Sequence, residues 1–137
     1  MTERKNQEQE MKAVGVLIVG NHNPLRASLR DWVGMNLPEA RILEAKNGKE
    51  AIDAALAERP QIILLDSGVD AMHAIETARH IRGVLPDVQI VVLTMHENSE
   101  YAADAEAAGA SACLLKRNMG SELLPVLRGL LSQDTDA

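Results

Sequence analysis

Five short runs of apolar, largely β-branched residues recur along this chain: Val14–Val19, Arg41–Ala45, Gln61–Leu65, Val88–Leu93 and Ser111–Leu115. Between them apolar residues fall three and four apart, as at Leu25, Leu29 and Val33, or at Ile75, Ala78, Ile81 and Leu85. That spacing gathers side chains on one face of a helix. Strand and helix in regular alternation predict a parallel sheet, because a parallel neighbour is reached only through a crossover of a dozen or more residues, with helices over both faces. Ile62-Ile63-Leu64-Leu65 has no polar alternation, which fits a strand buried on both sides. Helix starts are expected at Asn23 with Pro24 behind it, and at Asn47, Asn98 and Ser121, since these side chains can accept from the unpaired N–H groups of a first turn. Gly48, Gly109 and Gly120, with Pro38, Pro60 and Pro86, punctuate the junctions.

The 137 residues suffice for one core. The expected division is a flexible leader over 1–12, a domain over 13–132 and a flexible tail over 133–137. With one Trp, one Tyr and no Phe, that core must be aliphatic. A net charge of −6 without clustered Lys and Arg argues against direct nucleic-acid binding. The lone Cys113 allows no intramolecular disulfide and fits a reducing compartment, so a cytoplasmic location is expected. Val14–Val19 is too short to cross a membrane and runs into Asn21-His22-Asn23-Pro24 in place of a small-residue cleavage site.

In doubly wound sheets, sites form beyond the carboxyl ends of the strands, near the point where strand order reverses. Gly20, Asn21 and His22 follow the first run, Asp66 the third, Thr94 the fourth and Lys116 the fifth. A carboxylate that can be phosphorylated, a hydroxyl to meet a phosphoryl oxygen and an ammonium to offset its charge together suit phosphoryl transfer. Singly, each has a plainer reading. Asp66 would be a capping or loop carboxylate, Thr94 a strand-end residue of high β-propensity and Lys116 an exposed lysine. Their coincidence at successive strand ends favours the chemical reading.

Four stretches carry a resemblance. Val16-Leu17-Ile18-Val19 followed by His22 and Arg26, Pro60-Gln61-Ile62-Ile63-Leu64-Leu65-Asp66, Val91-Val92-Leu93-Thr94-Met95-His96-Glu97, and Ala108-Gly109-Ala110-Ser111-Ala112-Cys113-Leu114-Leu115-Lys116 resemble the receiver domain of bacterial response regulators. The likeness covers nearly all of residues 14 to 132, and its last two stretches are similar to receivers that precede a helix-turn-helix DNA-binding domain. It implies a flavodoxin-like three-layer α/β sandwich, a five-stranded parallel sheet in order 2-1-3-4-5 with five helices, and a role in two-component phosphorelay signalling. It further implies Asp66 as phosphoacceptor, Thr94 as switch hydroxyl, Lys116 as phosphate contact, and a sensor histidine kinase or other signalling protein as partner, with no enzymatic activity of its own.

The sequence departs from that family in four places. Where the family has two acidic residues after the first strand, this chain has Gly20 and Asn21. Only Asp66, the backbone carbonyl of Gly68 and the neutral amide of Asn21 are left for magnesium, which favours charged oxygen ligands, so binding is expected to be weak. Two acids plus Asp66 against Lys116 would leave a charge of −2 that calls for a divalent ion, whereas Asp66 and Lys116 alone cancel. The loop reads Val69-Asp70-Ala71-Met72-His73 in place of the family's Met-Pro and Asp-Gly, so Asp70 is either a substitute carboxylate or a solvated loop residue. Cys113 stands where the family has an aromatic switch residue, and Tyr101 is a nearby source of aromatic surface. The chain given stops soon after Leu131, so no effector domain is expected within these residues.

Other readings compete. His22, His73 and His96 with Asp66 would form a transition-metal site, but no close-spaced ligand motif supports it, and His80 reads as a surface residue. A phosphohydrolase with Asp66 as nucleophile needs a second acid and a held magnesium, which Ser67 and Gly68 do not supply. A phosphorylation-independent pseudo-receiver would keep the fold as a protein-interaction or dimerisation module. The alanine-rich fourth helix, 99–108, suits a partner-binding face, and the leucines of the fifth, Leu123, Leu124, Leu127, Leu130 and Leu131, are candidates with it for a homodimer contact, with core packing as the plainer account of those leucines.

Overall fold

The computed structural model describes residues 14–68, 71–95 and 97–135. Five strands, β1 (Gly15–Val19), β2 (Arg41–Ala45), β3 (Ile62–Asp66), β4 (Gln89–Thr94) and β5 (Ala112–Leu115), form one sheet in order β2-β1-β3-β4-β5, and every pairing is parallel. The helices are α1 (Asn23–Asn36), α2 (Gly48–Glu58), α3 (Ala71–Val84), α4 (Ser99–Ala107) and α5 (Met119–Thr135), the last entered through a 3-10 turn at Lys116–Asn118. This is the flavodoxin-like order and helix count expected from the sequence.

The continuous apolar strands divide cleanly between two cores. Val16, Ile18, Ile62, Leu64, Val91 and Leu93 face one side, where Leu29 and Val33 of α1 and Leu123 and Leu127 of α5 meet them. Leu17, Val19, Ile63, Leu65, Ile90 and Val92 face the other, under α2, α3 and α4. Each fully buried Leu, Ile or Val stabilises the fold by about 1.5–3 kcal/mol, so the three central strands anchor the molecule. Leu130 and Leu131 also pack partly against the α1 and α5 side of the sheet, so the apolar excess of α5 goes largely into the core.

Helix entry is as expected at Asn47, whose side chain accepts from the Glu50 N–H at 2.9 Å, and at Asn98, which accepts from the Glu100 N–H at 2.8 Å. It differs at two others. His22, in extended conformation, caps α1 by accepting from the Leu25 N–H at 3.3 Å through Nδ1, and Asn23 is already helical. The Lys116–Asn118 turn runs straight into α5 at Met119, so Ser121 lies inside the first turn and donates to the Asn118 carbonyl at 3.2 Å. At its far end α5 continues to Thr135, past the boundary drawn at 132. The leader expected over 1–12 lies outside the described residues. One close approach requires a glycine: a Cβ at Gly48 would stand 2.6 Å from Thr77 Oγ1, where α2 and α3 meet.

Candidate functional site at the strand ends

The strands end where the chemistry collects. Asp66 and Thr94 are the last residues of β3 and β4, and Lys116 follows β5 directly. Asp66 lies beside Leu93 in the β3–β4 register, and Thr94 beside Leu115 in the next pair. Thr94 is buried.

The Asp66 side chain is only 4% exposed and forms an ion pair with Lys116 Nζ through Oδ1, the lysine side chain being 17% exposed. The same oxygen accepts from the Gly68 N–H at 2.9 Å. That turn brings Gly68 to a φ of +57°, a left-handed conformation that glycine adopts without a steric penalty. On the opposite side, a Cβ at Gly20 would sit 3.3 Å from Asp66 Cβ and 3.4 Å from its Oδ2. The carboxylate therefore occupies the space beside Gly20. The Gly20 carbonyl is held by the Arg26 guanidinium at 2.6 Å, and Arg26 in turn pairs with Glu44 at 3.1 Å. Asn21 is exposed, with its amide oxygen 3.5 Å from the Cβ position of Gly68.

Asp66 and Lys116 thus meet directly, ringed by Gly20, Asn21 and Gly68. Asp70 and His96 lie outside the described residues. A cleft of about 730 Å³ opens beside Asp66 between the start of α2 and the first turns of α3, where Asn21, Lys46, Lys49, His73, Thr77 and His80 line it. His22 faces solvent as the α1 cap. Among the described residues no group of three His, Cys, Asp or Glu side chains is arranged to hold a metal ion, so the transition-metal reading finds no support there.

Two residues have contacts that the sequence does not announce. Arg26 reaches the Gly20 carbonyl because of how α1 leaves β1. Ser67 is 4% exposed, and its Oγ is buried without a hydrogen bond. The Tyr101 hydroxyl of α4 lies beside Ser67. Burial pushes the tyrosine hydroxyl up to about 12, with Cys113 and then Asp66 adding to the rise and Ser67 opposing it. Burial, with Glu106 adding to it, also raises the Cys113 thiol, which makes it a poor nucleophile at neutral pH.

With that geometry in place, the comparisons with known proteins converge. The response regulator receiver domain family matches residues 16–128. The transcriptional activator protein ExaE of Pseudomonas putida is 27% identical over 119 residues, 87% of this chain and 56% of the relative. The DNA-binding transcriptional activator DevR/DosR of Mycobacterium tuberculosis is 33% identical over 111 residues, 80% of this chain and 51% of the relative. The chain spans about half the length of the curated relatives it matches. Among solved structures, a LuxR-family two-component response regulator from Aurantimonas sp. SI85-9A1 superposes with a TM-score of 0.80 at 25% identity, covering 88% of this chain and 86% of the other. The signal receiver domain of the putative regulator NarL from M. tuberculosis shares the fold, with a TM-score of 0.75 at 22% identity over 85% of this chain and 94% of that one. From the strand-end carboxylate and lysine to the sheet that holds them, this chain belongs to the response regulator receiver domain family.

Proposed function

We propose that this domain accepts a phosphoryl group on Asp66 from a phosphorylated signalling partner, a sensor histidine kinase being the class implied, through a pocket that binds magnesium weakly or not at all. The observation that carries the reading is the Asp66–Lys116 pair: a nearly buried carboxylate held at a strand end by one cation and one backbone N–H. With Oδ1 so engaged, Oδ2 beside Gly20 is the attacking atom. In an in-line displacement the Asp66 Oδ2–P bond forms as the P–N bond to the donor imidazole breaks, and the imidazole leaves with a proton. Lys116 and the buried Thr94 hydroxyl are the groups assigned to the phosphoryl oxygens.

Magnesium fits this donor set poorly. The ion takes oxygen ligands in near-ideal octahedral geometry, yet Gly20 has no side chain and its carbonyl is bonded to Arg26. Asp66 Oδ1 is bonded twice, which leaves its Oδ2, the Gly68 carbonyl and the exposed Asn21 amide. Lys116 supplies the positive charge that the ion would bring, and no second acid beside Asp66 in Ser67 or Gly68 favours hydrolytic turnover.

The pairing also supports a second reading, in which Asp66 stays bonded to Lys116 and the fold acts as a phosphorylation-independent interaction module. Incubation with acetyl phosphate, read by intact mass, separates the two. Addition of one phosphoryl group that Asp66→Asn abolishes is the expected result. A protein left unmodified at any magnesium concentration would favour the second reading.

A further inference from the structure

Phosphoryl transfer upsets the charge balance at Asp66. At rest its carboxylate and Lys116 cancel. An attached phosphoryl group carries a charge of roughly −1.5 to −2 near neutral pH, so one lysine no longer suffices, and the side chain that bears the group is only 4% exposed. Charge left uncompensated with so little water around it is costly. With magnesium poorly held, a second cation of the chain is called for. The two nearby guanidinium groups are engaged. Arg26 spans Glu44 and the Gly20 carbonyl, and Arg117 is paired with Glu97. Lys46 is exposed and lines the cleft that opens beside Asp66, and among the described residues its ammonium group has no hydrogen bond or ion pair.

The sheet register puts Lys46 in line with the carboxylate. Ala45, Val19 and Leu65 are Cα partners across β2, β1 and β3, so Lys46, Gly20 and Asp66 follow one step on. The Gly20 N–H donates to the Ala45 carbonyl at 3.0 Å, which keeps β1 and β2 together up to that step. Neighbouring strands lie about 4.8 Å apart, which sets Lys46 and Asp66 roughly 10 Å apart with Gly20 between them. Glycine puts no side chain into that gap. The backbone N–H of Lys46 is held by the Glu50 carboxylate at 3.0 Å, so the lysine stem starts from a set point.

Resting on the reading of Asp66 as phosphoacceptor, we propose that Lys46 is the second phosphoryl-binding cation of this site, reaching across the bare Gly20 position to the group carried on Asp66. The flexible four-carbon stem of lysine closes the span from one side, and the phosphoryl group on Oδ2, the oxygen beside Gly20, closes it from the other. A side chain at position 20 would stand in the way. Lys49 lines the same cleft but belongs to the first turn of α2, outside the sheet register. Asp53, another lining residue, follows it by four positions, the spacing at which helix side chains become neighbours. Lys46 precedes the helix and has the direct path.

The test is the rate at which acetyl phosphate labels the full chain at low ionic strength, read by intact mass, which tells an added phosphoryl group from an acetyl group. In the step measured, the Asp66 Oδ2–P bond forms as the P–O bond to acetate breaks, and acetate leaves with the bonding pair. Lys46→Gln should slow labelling by at least about tenfold, the scale of one hydrogen bond to a charged group, with thermal melting unchanged because the side chain is exposed. Lys46→Arg keeps the charge and should keep most of the rate. Added salt should narrow the gap between wild type and Lys46→Gln, since an exposed cation is screened, an effect that a purely structural role for the side chain would not produce. Lys49→Gln removes the same charge from the same cleft and should change the rate little. Equal rates for wild type and Lys46→Gln, or an equal loss in Lys49→Gln, overturn the assignment of Lys46 and leave Asp66 as the acceptor. A wild type that takes up no phosphoryl group overturns both readings, and the mass alone reveals it.

Discussion

Replacing Asp66 by asparagine reads the electrostatics of the site through a sign. In a pocket of several carboxylates, removing one charge relieves repulsion and stabilises the fold. Here the carboxylate is 4% exposed and its charge partner is Lys116, so the same substitution removes an attraction. The asparagine amide still accepts from the Gly68 N–H, and Lys116, at 17% exposure, can turn toward water, which limits the loss to about 1–2 kcal/mol, in the range of a hydrogen bond to a charged group. Lys116→Met should cost more, because it leaves Asp66 charged and nearly buried with one N–H for company. Breaking a buried pair this way costs about 3–5 kcal/mol, and the partial exposure of Lys116 places the expected loss near the lower end. In the double variant no charge is stranded, so the two effects should fall short of additivity by about 2 kcal/mol, within the span measured for contacting residues. Urea unfolding followed by circular dichroism, at neutral pH and low salt, measures all four proteins. An increase in stability for Asp66→Asn would refute the self-neutralised pocket.

Other expectations follow from particular contacts. Gly48→Ala should destabilise by about 1–3 kcal/mol, the usual range for overpacking, because its Cβ would meet Thr77 Oγ1 at 2.6 Å, and Thr77→Ala in the same chain should restore most of the loss in thermal melts. Asn21→Asp, at an exposed position, should leave stability nearly unchanged and raise magnesium affinity by calorimetry. Gly20→Asp should destabilise by pressing on Asp66 at 3.3 Å, and its own loss should shrink when magnesium is present. The Tyr101 hydroxyl is raised from 10.0 to about 12 in the fold. Above pH 10 the unfolded chain therefore ionises where the folded one does not, so the stabilisation is intact below pH 10 and lost as pH rises toward 12. Compared with Tyr101→Phe in alkaline urea titrations, the wild type should lose the extra increment in that window.

Much of the sheet was legible because strand and helix periods differ, and runs such as Ile62–Leu65 fit only a central strand once helical segments flank them. The direct meeting of Asp66 and Lys116 was expected from charge, since two opposite charges at strand ends on either side of β4 have no better partner where Gly20 and Asn21 stand in place of acids. Helix entry was harder to read. His22 caps α1 where Asn23 was expected, because either residue can accept from the first turn and only the backbone's extended conformation at His22 decides between them. Ser121 carried a cap signal that the 3-10 turn at Lys116–Asn118 made unnecessary. The contact between Tyr101 and Ser67 had no local signature. It joins α4 to the end of β3 across the fold, and neither residue's neighbours in sequence announce it.

Under the proposed function Asp66 accepts a phosphoryl group while Lys116 supplies the charge that a metal would otherwise bring. The most direct measurement is the rate at which acetyl phosphate labels Asp66, followed by intact mass in the presence of magnesium and of a chelator. Slow labelling at Asp66 with little difference between the two conditions is the predicted result. Labelling that appears only with magnesium, or none in either condition, would contradict it.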